Sequence, residues 1–580
     1  MLQKRWVMRS ADQTQVKSLT DALKVQRTLC ELMVKRGIDE YDVAKKFFRP
    51  QLSDLHDPFL MKDMDKAVER INTAIQNNEK ILIYGDYDVD GTTAVATVFA
   101  FLIQIYPKVE FYIPDRHKEG YGISQQGIDW AHDNGITLII ALDCGIKSVD
   151  KVAYGKTLQV DFIIGDHHLP GETLPDAVAI LDPKRLDCTY PFKELSGCGI
   201  GFKLAQAFAQ KYDMPIERIE PLLDLVAMSI AADIVDLQDE NRTLAYFGLK
   251  LLNTNPRFGF KALIDLSSLK GELTISSVVF TLGPRINAAG RIGHGSLAVK
   301  LLLAETYEEA CTHADALQLN NTERRSLDTG ITEEAIMLLE NDPINSTRKS
   351  TVLFKPDWNK GVLGIVASRL LDKYYRPTIV LTGANGMVNG SARSVMGYDI
   401  YAAIESCSEL LDQFGGHKYA AGLSLKTENV PLFIEKFEKI VADTMIDSMM
   451  IPEVEIDAEI PLSFINTSNY NILKQFAPFG PKNMKPVFVS MNVVAAGRVG
   501  IVGENHLRFS IKDPKGGQLI NCIGFGLAGY KDIIDNRKPF NVCYCIEENE
   551  WNNAVTFQLY IKDIKSIEDT DILHLDNKEA

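Results

Sequence analysis

The stretch Ile81–Thr93, ILIYGDYDVDGTT, decides the reading of this chain. It opens as an apolar run, Ile81–Tyr84, with the length and β-branched content of a buried strand. Acids follow at alternate positions, Asp86, Asp88 and Asp90, before Gly91 and a helical pattern from Thr92 to Ile105. In extended backbone, alternate residues point the same way, so Asp86 and Asp88 converge just past the strand. Carboxylates held together there repel unless a cation lies between them, and hard divalent ions take oxygen ligands. The plainer reading is an acidic turn that caps the following helix.

Length and composition bound what surrounds this stretch. At 580 residues and 46% hydrophobic, the chain has material for roughly three or four domains. A net charge of −15 argues against a generally basic nucleic-acid coat and leaves room for a local basic groove. The start, MLQKRWVMRSADQTQ, lacks the apolar core of a secretory leader, and no apolar run is long enough for a membrane span. The cysteines number nine, without a CxxC pair, so free thiols in a reducing cytoplasm are expected.

Residues 1–75 read as a helical lead-in. From 76 to 240, strand-like runs (Ile81–Tyr84, Val109–Ile113, Leu138–Leu142, Phe162–Ile164, Ala177–Leu181) alternate with helical ones. That alternation predicts an α/β domain on a mostly parallel sheet. In such sheets, ligands bind beyond the carboxyl ends of the strands. Asp86 and Asp88, Asp143 of LDCG, and His167 and His168 of GDHH all stand at such ends, and Asp233 interrupts the apolar stretch SIAADIVDL. Residues 241–345 read as a helical connector that includes a long helix, Glu308–Glu340. A second α/β segment, 346–450, contains GSARS before a helical run and the glycine-rich GGHKYAAG. GPRINAAGRIG, at 283–293, reads as a loop. Short strands and turns across 451–580 predict a small antiparallel OB-like β-barrel. Its aromatic residues Phe509, Phe525 and Tyr530 and cations Arg498, Arg508 and Lys512 suit single-strand binding.

Asp86, Asp88, Asp143, Asp233, His167 and His168 together suit two Mn²⁺ or Mg²⁺ ions, the imidazoles favouring Mn²⁺. Two metals ~3.5–4 Å apart promote in-line attack at phosphorus. Asp90 would position the attacking water or a ligand from behind.

The ordered motifs DxDxDG, DCG, GDHH and AAD resemble the DHH phosphoesterase superfamily, and GGHKYAAG is similar to the signature of the DHH-associated domain. Within that superfamily, Pro50–Ile71, PDRHKEGYG (114–122), GPRINAAGRIG and the carboxyl-terminal barrel resemble the RecJ family of single-strand-specific 5′→3′ exonucleases. The resemblance covers about residues 30–565. It implies that Asp86, Asp88, Asp143, His167 and Asp233 are metal ligands, with Asp143 the bridge and His168 against the scissile phosphate. Arg116, Ser391 and Arg393 would hold the 5′-terminal phosphate. Arg285 and Arg291 would meet the backbone downstream, and Gly416 and His417 would seat the strand end. Some relatives in the superfamily carry a histidine four residues before the first aspartate; here that position is Leu82. The resemblance also implies a monomer working in DNA repair and recombination beside a single-strand-binding protein and a RecQ-type helicase. The alternatives are a DHH phosphoesterase of short oligonucleotides or cyclic dinucleotides and a catalytically dead scaffold.

Overall fold

The computed structural model describes residues 3–116, 118–384, 386–536, 538–551 and 554–575. It divides into two compact units. The first comprises Asp42–Glu323 and Gln475–Met484; the second comprises Met1–Tyr41, Arg324–Lys474 and Lys485–Ala580. The 34-residue helix Tyr307–Glu340 carries the chain from the first unit into the second.

Strand β1 (Arg5–Arg9) falls in the second unit. The first unit is built on five parallel strands: β2 (Lys80–Gly85), β3 (Val109–Tyr112), β4 (Ile136–Leu142), β5 (Asp161–Gly165) and β6 (Ala179–Leu181). Ile139, Ile140, Ala141 and Leu142 are all fully buried, as expected for parallel strands covered on both faces. The strand order is β3-β2-β4-β5-β6. The chain therefore leaves β2 toward β3 and returns on its other side to β4. The crevice between the carboxyl ends of β2 and β4 is where such a sheet receives ligands.

GPRINAAGRIG is not a loop. It forms the helix Gly283–Ile292, entered through a π-helical turn at Val278–Leu282. Pro284 is tolerated in its first turn. Gly290 answers to packing: a Cβ there would lie 2.6 Å from the carbonyl oxygen of Tyr87.

The second unit contains a sheet of β7 (Thr351–Phe354), β8 (Thr378–Ala384), β9 (Met387–Arg393), β10 (Gln413–His417) and β11 (Ala420–Lys426), in the order β10-β11-β9-β8-β7. GSARS lies on β9, and GGHKYAAG makes the β10–β11 hairpin. The helix expected after GSARS is short, Ile400–Glu405, because Gln413 and Phe414 pair instead with Ser424 and Leu423. The carboxyl-terminal sheet comprises β13 (Ala458–Glu459), β14 (Phe488–Ala495), β15 (Gly500–Val502), β16 (His506–Lys512), β17 (Ile520–Gly524), β18 (Phe540–Trp551) and β19 (Ala554–Ser566). An extra pairing of β14 with β16 closes a ring of five strands, in which β17 and β19 run parallel and the other neighbours antiparallel. The lead-in is not wholly helical. β1 pairs in parallel with β12 (Glu453–Ile456) on one side and β20 (Ile572–Leu575) on the other. Those partners lie so far away in sequence that no local pattern announces them. Trp6, fully buried, donates to Asp563 Oδ2 at 2.7 Å. No helix among the described residues is long and apolar enough to cross a membrane.

Gln475–Met484 is an excursion from the second unit's sequence into the first unit, and a buried arginine holds it. Arg242 donates to the carbonyl oxygens of Gln475, Phe476 and Ala477 at 3.0–3.3 Å and to that of Phe47 at 3.1 Å. Its guanidinium lies 3.6 Å from the centre of the Phe47 ring. Replacing it orphans several buried acceptors, each costing about 1–3 kcal/mol. Arg242→Ala is therefore expected to expose residues 475–484 to limited proteolysis before the rest of the chain. Protease resistance equal to that of the native chain would show that the excursion is held by other contacts.

Candidate metal centre

Each strand end of the first unit delivers part of one polar cluster. Asp86 leaves β2 and is buried, with an Oδ1 that has no hydrogen-bond partner. Asp88 caps the helix Val89–Leu102, its Oδ1 accepting from Gly91 N at 3.0 Å, so the capping reading of the acidic turn holds for this residue. Gly91 is required: a Cβ would meet the Asp86 carbonyl oxygen at 2.5 Å. Asp143 follows β4 with a φ of +58°, a left-handed conformation that aspartate tolerates better than most residues. His167 follows β5 and is buried, while His168 is half-exposed. Asp233 terminates the helix Leu223–Ala232.

Around His167 Nε2 stand Asp143 Oδ1 at 3.2 Å, Asp233 Oδ2 at 3.5 Å and Asp90 Oδ2 at 3.7 Å. Two groups of three possible ligands share this histidine: Asp143, His167 and His168, and Asp90, His167 and Asp233. Burial, reinforced by neighbouring carboxylates, pushes the Asp86, Asp143 and Asp233 carboxyls well above the usual range and Asp88 upward. Burial also depresses the His167 imidazolium. So many acids in one site cannot all be ionised without a countercharge. The Asp86 Oδ1, which has no hydrogen-bond partner, and the carboxylates around His167 Nε2 offer oxygens and an imidazole nitrogen, a donor set that fits Mn²⁺ or Mg²⁺.

Asp90 is already bonded on its far side. It accepts from Gly197 N at 2.7 Å, Cys198 N at 2.8 Å and Ser229 Oγ at 2.6 Å. It therefore clamps the start of the helix Gly197–Lys211 against the site. Gly197 is in turn pressed on Asp143, where a Cβ would lie 2.6 Å from the Asp143 Cβ. His168 Nδ1 meets Asp166 Oδ1 at 2.7 Å; burial lowers the His168 pKa, but this bond and the charges of Asp166, Asp90 and Asp88 together raise it. Asp166 also accepts from Ile146 N and His167 N.

Four residues of the site escaped sequence reading. Tyr121 of PDRHKEGYG donates to the Asp143 carbonyl oxygen at 3.2 Å and approaches His168 Nε2 at 3.4 Å. Tyr87, inside the opening motif, carries Arg116 over its ring at 5.2 Å. Asn287 accepts from Val89 N at 3.1 Å and, with Gly290, packs the helix Gly283–Ile292 onto the DYD turn. Asp182, at the end of β6, is fully buried with Oδ2 unpartnered. The quoted motifs contained the first three, but nothing in sequence separated them from scaffold. Arg285 bonds Gln318 at 2.9 Å and the Thr281 carbonyl oxygen. Leu82 is a fully buried strand residue.

Ser391, Arg393, Gly416 and His417 lie in the second unit. Across β9, β11 and β10, Arg393, Ala420 and His417 stand in register, and Ser391, Gly422 and Gly415 form the next outward row. Arg393 Nη1 donates to Ser391 Oγ at 3.2 Å. Gly364 leaves it space, since a Cβ there would meet Arg393 Nη2 at 2.8 Å. Burial depresses this guanidinium, and it makes no ion pair with an acid among the described residues. In the carboxyl-terminal sheet, Phe509 is core and Tyr530 is tied to Asp563 at 2.7 Å, whereas Phe525 is 59% exposed. His506 and Tyr560 flank Phe525 with ring centres 5.1 and 5.8 Å away.

Comparison with known proteins places these features in one lineage. Residues 80–230 match the DHH family N-terminal domain, 348–443 the DHHA1 domain, and 456–563 the RecJ OB domain. The single-stranded-DNA-specific exonuclease RecJ of Bacillus subtilis is 40% identical over 564 residues, spanning 96% of this chain and 70% of that protein. The chain belongs to the RecJ family. Salmonella typhimurium RecJ is 33% identical over 87% of this chain and 90% of its own length. The crystal structure of Thermus thermophilus RecJ in complex with Mn²⁺ matches with a TM-score of 0.84 at 25% identity, covering 98% of this chain and 80% of that one. A manganese-bound exonuclease RecJ structure matches at 0.59 and 30% identity, covering 69% of this chain and all of that one.

Two outcomes follow for this cluster. Gly197→Ala would drive a methyl into Asp143 and is expected to weaken Mn²⁺ binding by about 10–100-fold, read by titration calorimetry. Unchanged affinity would mean that Asp143 moves aside at no cost. The second outcome concerns pH. Burial pushes Asp182 up to about 7 from an ordinary 3.8. A raised carboxyl pKa penalises the fold as pH climbs from the ordinary value to the raised one. Between pH 5 and pH 8 the native chain should therefore lose up to about 3 kcal/mol of stability relative to Asp182→Asn, read as a melting temperature that falls further with pH. Parallel curves would show that Asp182 titrates normally.

Proposed function

We propose that this chain is a single-stranded-DNA-specific 5′→3′ exonuclease that hydrolyses phosphodiester bonds with two divalent ions and releases 5′-mononucleotides. The observation that carries the reading is the carboxylate–imidazole cluster at the β2/β4 crevice of a chain matching RecJ proteins along nearly its whole length. Asp86, Asp88, Asp143, His167 and Asp233 would hold Mn²⁺ or Mg²⁺, with Asp143 shared between the two sites. When bound, such ions activate water and neutralise charge on the phosphoryl oxygens. The chain's own residues do the rest. Asp166 fixes the His168 ring through Nδ1, which leaves Nε2 to donate to a phosphoryl oxygen. Asp90 keeps its carboxylate on the helix Gly197–Lys211 and so fixes the wall behind Asp143.

Arg393, half-buried beside Ser391 and in no ion pair with a carboxylate among the described residues, suits a terminal phosphate, which guanidinium binds in a fork. In the first unit, Arg116 would bind a phosphate of the strand, and Arg285 and Arg291 would meet its backbone. Gly416 and His417 seat the strand end over the bare Gly415–Gly422 row. Phe525, His506 and Tyr560 offer unstacked bases a platform, with Arg508 on the same face. On this reading the chain divides into a lead-in (1–75), catalytic domain (76–240), connector (241–345), DHH-associated domain (346–450) and nucleic-acid-binding domain (451–580). The nine free cysteines suit a reducing cytoplasm. There a monomer would serve DNA repair and recombination beside the single-strand-binding protein and RecQ-type helicase that family likeness implies.

The test is digestion of a long single strand labelled separately at each end, with Mn²⁺, Mg²⁺ or EDTA, beside a duplex. Early release of mononucleotide from the 5′ label alone is expected, abolished by EDTA and by Asp143→Ala. Arg393→Ala should raise KM for a 5′-phosphorylated strand and leave a 5′-hydroxyl strand nearly unaffected. Cleavage confined to di- to tetranucleotides would replace this reading with a small-substrate phosphoesterase.

A further inference from the structure

The loop that carries Asp233 away from the site meets two lysines that the roles above leave unused. Lys184 follows β6, and its backbone N–H donates to Asp182 Oδ1 at 2.8 Å. Its ammonium pairs with Glu194 at 3.1 Å. Lys482 sits at the tip of the excursion held by Arg242. Its turn is closed by reciprocal backbone bonds between Gly480 and Asn483 at 3.1 and 2.9 Å. The Asn483 side chain donates to the Phe476 and Pro478 carbonyl oxygens at 2.9 and 2.8 Å.

These segments are fastened to one another. Leu237 N donates to the Pro481 carbonyl oxygen at 2.8 Å, which places Lys482 beside Asp236. Asn241 Nδ2 donates to the carbonyl oxygens of Asp236, at 3.0 Å, and Glu194, at 2.5 Å. That brings the Lys184–Glu194 pair to the same loop. Both lysines oppose the burial that raises the Asp236 pKa.

Lys482 also stands in a conformation that a lysine does not favour. Its φ is +60°, where glycine fits without strain. It is exposed and makes no ion pair among the described residues. A strained, unpaired cation on a rigid tip is a pattern found where the charge is used.

We propose that Lys184 and Lys482 form a phosphate-binding edge beside the metal centre, gripping the single-strand backbone at the phosphate next to the scissile one. The inference rests on the exonuclease reading above. Glu194 is the internal counter-ion that holds Lys184 in place and that an incoming phosphate displaces. A strand approaching an acid-rich centre meets repulsion that the bound ions offset only locally, and two fixed ammonium groups extend the favourable field along the backbone.

The test measures KM for a 5′-phosphorylated single strand against NaCl concentration, in Mn²⁺, for the full-length chain and Lys184→Met, Lys482→Gly, the double variant and Glu194→Gln. Each lysine replacement should raise KM and flatten the log–log salt slope by about 0.7, the double by about 1.4. The Mn²⁺ concentration for half-maximal rate should stay within twofold. Lys482→Gly should also raise the melting temperature, so weaker binding would accompany greater stability. Glu194→Gln should lower KM, opposite in sign to Lys184→Met. Salt slopes equal to the native one, or Glu194→Gln raising KM as Lys184→Met does, would overturn the proposal and leave the exonuclease reading standing. A native chain that does not digest the strand would overturn both.

Discussion

Repulsion among carboxylates is the constraint on which the first unit depends. Asp86, Asp88, Asp90, Asp143 and Asp233 converge where burial makes each charge expensive. The charge of Arg116 offsets this in part at Asp86. The fold satisfies one acid, Asp90, with helix amides and a serine hydroxyl, and it leaves Asp86 with a bare oxygen. A bound cation would offset this repulsion, so metal binding would add to the stability of the first unit. The glycines follow from that. Gly91 lets the helix start against Asp86, Gly197 lets a second helix lean on Asp143, and Gly290 lets a third lie on Tyr87. A methyl group at any of the three would meet a neighbouring atom within 2.7 Å.

The same logic explains the strand order. With β2 and β4 adjacent and β3 sent to the far side of β2, the DYD turn and Asp143 become neighbours though more than fifty residues separate them. His167 then arrives from β5 one strand further on, and the helix ending in Asp233 closes the opposite wall. No single motif makes a site; parallel register does, by bringing every loop out at one end of the sheet.

How much of this was readable in advance follows from how local each signal is. The strands of the first unit are continuous apolar runs with acids at their ends, and the structure places them within a few residues of where the pattern puts them. The long helix, expected at Glu308–Glu340, is found to within one residue. β1 was missed because its partners lie far along the chain. GPRINAAGRIG was misread because glycine and proline look like loop residues, although here they serve a close helix contact and a first turn. Phe509 and Tyr530 were indistinguishable from Phe525 until the pleat set which way each points. Tyr121, Asn287 and Asp182 could not be told from scaffold, because a lone hydrogen bond to a ligand loop leaves no periodicity in sequence.

The backbone also shows where local rules give way. Asp143, Ile234 and Lys482 all take left-handed conformations, with φ of +58°, +59° and +60°, and all lie in loops at or fastened to the metal centre. For Ile234 the conformation is a genuine outlier, since branching at Cβ crowds the backbone there. Its side chain is also 64% exposed, so neither packing nor propensity accounts for it. A loop that had only to connect a helix to the next element would settle on glycine or asparagine at such a place. This one must end a helix at Asp233, turn at once, and reach the Leu237–Pro481 bond, and the turn falls on whichever residue comes next. Left-handed residues also occur away from the cluster, as at Lys24, Gln159 and Asn492, so strain alone does not mark a site; what sets these three apart is that buried parallel strands fix the turns from which the clustered side chains are aimed.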